Sequence, residues 1–222
     1  MHEAQIPSAD GPSVDDKTGL AGVIARDRDF AVILREFGPP PSRRRPEGFG
    51  TLAQIIVGQQ VSVAAAAAIW QRMTDGLTPI TPDVILASGD DGLRQFGLSR
   101  PKVRYLQALA HDLIDGRLDL IALRQLDDEA AIEHLVQVKG IGRWTAEIYL
   151  LAALGRADIW PGADIALMTA TQDLKGLVKR PKADELRQLA AMWKPYRTFA
   201  ARLLWHYYGM KRGRGGAPLT DK

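Results

Sequence analysis

The sequence predicts an all-α fold on three observations. Apolar residues recur at helical spacing along most of the 222 residues. Alternating runs of β-branched residues are absent, so little or no sheet is expected. Residues suited to cap helices stand immediately before several of the apolar stretches.

Val23, Ile24, Phe30, Ile33, Leu34 and Phe37 share one helical face, and Gly38-Pro39-Pro40-Pro41 ends that helix. The Pro-, Gly- and Arg-rich stretch 38–50 reads as a linker and a lobe boundary. Thr51 suits the cap of a helix running to about Gly58. The chain then breaks at Gly58-Gln59-Gln60-Val61, and Ser62 caps the next helix, through Met73. Thr81-Pro82 pairs a cap with proline at the first helical position, where the missing N–H has no intrahelical partner to lose. Ser99 opens a helix with Val103, Leu106, Leu109, Leu113 and Ile114 on one face, and Asp127 or Asp128 opens one that reaches Val136. After Lys139-Gly140-Ile141-Gly142 a helix spans about Arg143 to Leu154, and more are expected near 165–175, 182–193 and 198–208. No repeat of solenoid length is visible. Small residues, prolines and charges mark 1–18 as a mobile leader and 210–222 as a mobile basic tail.

Composition excludes several classes. A hydrophobic share of 46% supplies a core, so the chain is not a disordered one. Without cysteine there is no disulfide framework, thiolate-bound zinc, iron–sulfur cluster or thiol nucleophile, which favours a reducing compartment. His2, His111, His134 and His206 show no metal-ligand spacing. Residues 1–18 lack the basic start and apolar run of a signal peptide. The alanine-rich stretch Val61 to Trp70 is far short of the ~20 residues a membrane helix needs. The net charge of +3 is distributed as −3 over 1–18, +3 over 19–208 and +3 over 209–222, too weak a bias to indicate a nucleic-acid partner alone. The runs Arg43-Arg44-Arg45 and Lys211-Arg212-Gly213-Arg214 are either solvated charge or phosphate contacts.

The most informative segment is 135–146, LVQVKGIGRWTA, in which two glycines bracket one aliphatic residue between two helices. Glycine permits positive φ and close approach of another backbone. The amides around Gly140 and Gly142, with the open N–H groups of the following helix, make a concavity suited to a phosphate. Lys139 and Arg143 add charge, and Ile141 points inward to lock the turn. A bare Gly-x-Gly serves equally well to join two helices.

With its neighbours, this segment resembles the helix-hairpin-helix DNA glycosylases, within them the 3-methyladenine DNA glycosylase II type. The residues that carry the resemblance are Ile56-Val57-Gly58-Gln59-Gln60-Val61-Ser62, Phe96-Gly97-Leu98-Ser99-Arg100 with Lys102 and Tyr105-Leu106, and Val138 to Ala146. Pro161-Gly162-Ala163-Asp164 and Trp193-Lys194-Pro195-Tyr196-Arg197 continue it, so that it covers roughly 20–209. It implies two helical lobes around a DNA-binding cleft. One lobe, about 51–153, is continuous and ends in the hairpin. The other joins 19–50 to 154–209.

The resemblance makes Asp164, 22 residues beyond Gly142, the essential catalytic group. Cleaving an N-glycosidic bond builds positive charge on the sugar, which a carboxylate stabilises while orienting water. Read locally, the same aspartate caps the helix beginning at Ile165, and the two roles are compatible. Strand-cutting members carry a lysine nucleophile two residues after the second hairpin glycine. Here Trp144 stands there and cannot form a Schiff base, so a monofunctional enzyme leaving an abasic site is expected.

Flipping a base requires a plug for the gap and a pocket for the base. The resemblance offers Gln60 or Val61 as the wedge, and Gln59, Trp144, Trp205, Ile148 and Ile165 as the base pocket. Aromatic faces suit cationic 3-methyladenine or 7-methylguanine, which are also good leaving groups. Tryptophans at helical spacing are otherwise core residues, the reading given to Trp70, Trp160 and Trp193. Ile148 and Ile165 stand where well-known members carry tyrosines, and the N-terminal sheet domain of longer members is absent, implying a smaller, more aliphatic, more open pocket. Lys139, Gly140, Ile141, Gly142, Arg143, Thr145, Ser62, Arg100 and Lys102 are the candidates for the DNA backbone. No cofactor and no side-chain metal site are expected, although hairpin carbonyls could hold a monovalent cation. The expected setting is a monomer acting on double-stranded DNA that contains alkylated bases, in the cytoplasm at the bacterial nucleoid, with no membrane. Two alternatives stay open: a non-catalytic helix-hairpin-helix module that binds DNA structure, and a mismatch or uracil glycosylase on the same scaffold.

Overall fold

A computed structural model describes residues 14–213. Those residues form eleven α-helices and two short 3-10 turns, with no strand among them. The helices are α1 (Asp16–Arg26), α2 (Phe30–Phe37), α3 (Phe49–Gly58), α4 (Val63–Gly76), α5 (Pro82–Arg94), α6 (Arg100–Ile114), α7 (Asp128–Val136), α8 (Arg143–Ala152), α9 (Ile165–Lys175), α10 (Ala183–Ala190) and α11 (Arg197–Lys211). The expected leader lies mostly outside the described residues, and Asp16 to Thr18 open α1. Of the expected tail, Met210 and Lys211 end α11, while residues 214–222 lie outside the described residues.

Helix pairing divides the fold in two. In one group α3 packs on α4, α6 and α8, α5 on α6, and α7 on α8. In the other, α11 packs on α1, α2 and α9. The core is one continuous apolar cluster whose largest fully buried side chains include Trp193, Tyr149, Phe30 and Ile33. Trp193 lies edge-on to Phe30 and Trp160, at 5.2 and 5.1 Å between ring centroids, a favourable aromatic geometry.

Most expected caps are present. Ser62, Thr81 and Asp127 accept from the amides of Ala65, Val84 and Ala130, satisfying open N–H groups of α4, α5 and α7. Two details differ. α3 starts at Phe49 behind Gly48, and the Thr51 hydroxyl instead donates to the Pro46 carbonyl at 2.6 Å. The single helix expected over Val23–Phe37 is broken at Asp27–Asp29, where the buried Asp27 carboxylate meets Lys175 and Trp193 and the exposed Asp29 pairs with Lys175 as well. Lys175 Nζ donates to both carboxylates at 2.6 and 2.7 Å, and the Trp193 indole to Asp27 at 2.8 Å. That knot joins the end of α9 to the junction of α1 and α2.

The segment from α8 to α9 is irregular yet fixed. Arg197 grips Asp158 with two nitrogens at 2.8 Å, and the Thr198 hydroxyl donates to the Arg156 carbonyl and accepts from the Ile159 amide. Arg156 in turn pairs with Asp128 and donates to the Leu123 and Leu126 carbonyls. These bonds set where Trp160-Pro161-Gly162 delivers Asp164. No helix of the described residues is long and apolar enough to cross a membrane.

Candidate active site

A cleft of about 1200 Å³ is walled by the end of α3, the Gln59–Val61 turn, the start of α6, the hairpin, α8 and the start of α9. Asp164, Trp144, Ile148, Ile165, Gln59, Gln60, Val61, Lys102, Thr145 and Lys139 to Gly142 line it. Most of the candidate side chains, scattered over more than a hundred positions of sequence, are therefore gathered around one space.

Asp164 is the N-cap of α9. Its Oδ1 accepts from the amides of Ala166 and Leu167 at 2.8 and 3.0 Å. Its Oδ2 accepts from the indole N–H of Trp144, another cleft-lining residue, at 3.2 Å. The carboxylate thus meets the positive end of the α9 dipole, and its two oxygens divide between the cap and Trp144. Trp144 is half-buried, lines the cleft and binds the carboxylate through its indole N–H.

The hairpin occupies Lys139–Gly142 between α7 and α8. Gly140 has φ +93°, and a Cβ there would lie 2.2 Å from the Tyr105 ring, so both conformation and space require glycine. Ile141 is buried, as expected of an inward residue, and its amide donates to the Val138 carbonyl at 3.0 Å. Gly142 caps α8, whose first amides open toward the cleft. Lys139 is exposed on the rim.

Several candidates take other positions. Arg143 is held bidentately by Glu129 at 2.5 and 2.7 Å and by Glu147 at 3.0 Å, so two carboxylates already answer its charge. Arg143 holds the Glu129 carboxyl below the usual range. Burial pushes the Glu147 carboxyl up to about 7, against the pull of Arg143. Thr145 is buried and its hydroxyl accepts from Gln59. The Gln59 amide nitrogen also donates to the Gly140 carbonyl, both bonds at 2.9 Å, so this side chain bridges to the hairpin while lining the cleft. That carbonyl is one of the hairpin oxygens offered to a cation. Lys102 is buried and donates to the Val57 carbonyl, and desolvation lowers its pKa. Ser62 is committed to capping α4, and Arg100 is exposed outside the cleft lining.

Trp205 does not reach the cleft. It is buried in α11 beneath the Arg43 guanidinium, 4.8 Å from the ring centroid. Tyr208, one helical turn on, lines the cleft instead, with Arg212 4.0 Å over its ring. Ile148 forms a fully buried wall, whereas Ile165 is 62% exposed at the rim, because it is the first residue of α9 and points away from the core. Sequence reading gave no site role to Tyr105 or Gln54, which line the cleft, and Arg45, of the run offered for phosphate, lines it too and donates to Gln54. The spacing of Tyr208 from Trp205 put both on α11, but only the packing of α11 decides which faces the cleft. Among the described residues no cluster of histidine and carboxylate side chains could hold a metal ion.

Residues 53–195 match the sequence profile of the HhH-GPD superfamily of base excision DNA repair proteins. DNA-3-methyladenine glycosylase 1 of Schizosaccharomyces pombe is 30% identical, over 84% of this chain and 83% of its own length. The solved structure of a 3-methyladenine DNA glycosylase (Mag1) from that yeast in complex with abasic DNA superimposes with a TM-score of 0.78 at 27% identity, covering 87% of this chain and 96% of that one. A DNA-3-methyladenine glycosidase from Bacillus halodurans gives a TM-score of 0.73 at 30% identity, covering 90% of this chain and 93% of that one.

Proposed function

The chain belongs to the HhH-GPD superfamily of base excision DNA repair proteins, and from that premise we propose that it is a monofunctional DNA glycosylase. It hydrolyses the N-glycosidic bond of alkylated, cationic purines such as 3-methyladenine and 7-methylguanine in double-stranded DNA, releasing the base and leaving an abasic site. The names of its relatives support the substrate class. The observation that carries the chemistry is Asp164, which lines the cleft with Oδ2 bonded to the Trp144 indole and Oδ1 fixed by the α9 amides.

The hairpin amides and Lys139 hold a phosphate, the Gln60-Val61 turn enters the stack in place of the extruded nucleotide, and the base enters the cleft against Ile148 and Tyr208. As the bond to the base lengthens, electrons leave with the base and positive charge grows on the sugar. Asp164 stabilises that charge and directs a water to the sugar carbon, taking its proton. A base already cationic departs neutral and needs no acid. The position that would hold an amine nucleophile is Trp144, so no covalent enzyme–sugar adduct forms.

The test is release of 3-methyladenine and 7-methylguanine from methylated duplex by the wild type and by Asp164→Asn. Asparagine keeps an oxygen for the α9 amides, so the fold survives, while the rate falls by about a hundredfold or more. A wild type that releases neither base overturns the alkylation reading, and a fully active Asn variant overturns the role of Asp164. A protein–DNA adduct trapped by borohydride would contradict the monofunctional reading.

A further inference from the structure

Three features converge on the Gly58–Val61 turn that the chemistry at Asp164 does not itself require. Gln60 has φ +55°, the one non-glycine residue of the described chain with positive φ, a conformation that side chains other than glycine adopt at a cost. Gln59 before it reaches across the cleft, its amide nitrogen donating to the Gly140 carbonyl and the Thr145 hydroxyl at 2.9 Å each. A carbonyl can only accept, which fixes that amide's orientation. Lys102 comes from α6 beneath the turn. It is buried, and its ammonium donates to the carbonyl of Val57, one of the last carbonyls of α3, which have no partner within their own helix. A cation at a helix C-terminus also meets the negative end of the helix dipole.

An isolated turn of this kind would relax, because nothing local repays the strained residue. Here its entry is held by Lys102 and its middle is tied to the hairpin by Gln59. The hairpin is itself seated against α6 through Gly140 and Tyr105. The turn and the hairpin therefore form one rigid unit. We propose that Lys102 and Gln59 are positioning residues for base eversion. They hold the Gln60-Val61 turn at a fixed height over the hairpin, so that seating a phosphate on the hairpin drives the turn into the stack. This role rests on the glycosylase reading above, and it differs from phosphate or base contact by either side chain.

The experiment uses the full chain and a duplex carrying 2-aminopurine beside an alkylated purine, with fluorescence reporting unstacking, single-turnover base release reporting catalysis, and melting confirming the fold. Lys102→Met should bind undamaged duplex within about twofold of wild type, with unchanged salt dependence, yet lose roughly tenfold to a hundredfold in both unstacking rate and base release. Lys102→Arg, which keeps a charged donor, should restore most of both. Gln59→Ala, which leaves Lys102 in place, should reproduce the defect and carries the test if Lys102→Met fails to fold. Wild-type unstacking and release in the folded variants would overturn the proposal. So would weakened binding to undamaged duplex with a salt slope smaller by about one, the mark of a lost phosphate contact. If the wild type unstacks the duplex but releases no alkylated base, the substrate reading fails while this one stands.

Discussion

At Asp164 the two carboxylate oxygens face different partners, Oδ1 the amides of α9 and Oδ2 the Trp144 indole. The cap is a local property: an aspartate before a helical run satisfies open amides wherever the helix lies. The turn toward Trp144 is not local, since that indole comes from another helix. Glu147 shows the same division. Four residues after Arg143, it makes an i,i+4 ion pair that follows from helix geometry. Its burial, and Glu129 on the far side of Arg143, were not. Burial raises its carboxyl from 4.5 to about 7. The unfolded chain ionises this group near 4.5 and the folded chain near 7, so raising the pH between those values favours unfolding, and the loss levels off above them. Thermal or urea melts of wild type and Glu147→Gln at pH 5 and pH 8 should therefore diverge, with the variant gaining on the order of 2 kcal/mol relative to wild type at the higher pH. Parallel pH profiles would refute this reading of Glu147.

Among the elements, the hairpin was the most legible, because glycine spacing states a backbone requirement directly. Gly140 adopts φ +93° against the Tyr105 ring, as a close approach of chain to chain demands. Gly140→Ala meets both strain and overlap and should destabilise by about 2–4 kcal/mol, lowering the midpoint in urea and weakening duplex binding. A variant with unchanged stability and binding would show that α6 can retreat from the hairpin. The break between α3 and α4 was equally visible in Gly58-Gln59-Gln60, and Ser62 caps α4 as its residue type suggests. What the turn's side chains do was not visible. Gln59 and Lys102 are polar residues of kinds that usually meet solvent or ligand, and only the approach of α6 and the hairpin supplies them with carbonyls. Trp205 leaves its expected place to Tyr208 for a related reason. α11 is buried on most of its surface, so apolar character does not tell which residue borders the cleft.

Over the whole molecule, the helices around Asp164 are brought together from distant parts of the chain. Lys175 at the end of α9 pairs with Asp27 and Asp29, more than 140 positions earlier. Asp27 is buried, so Lys175→Met leaves its carboxylate with the Trp193 N–H but no cation. That change should destabilise by about 3 kcal/mol and lower the melting temperature by roughly 6–12 °C. It should also loosen α9, whose other end is Asp164. A melting temperature within a degree of wild type would show that the knot is dispensable. Residue order was enough for the helical class, most helix limits, the glycine-bound hairpin, the cap at Asp164 and the absence of a lysine where Trp144 stands. Each follows from short-range geometry: helical periodicity, open amides and the conformations glycine permits. Tertiary structure alone decided that Arg143 is spent on two carboxylates, that Gln59 and Lys102 brace a turn, and that Tyr208 rather than Trp205 meets the cleft. A side chain's chemistry is written in its residue type, but the partner that uses it is chosen by helices packed from elsewhere in the chain.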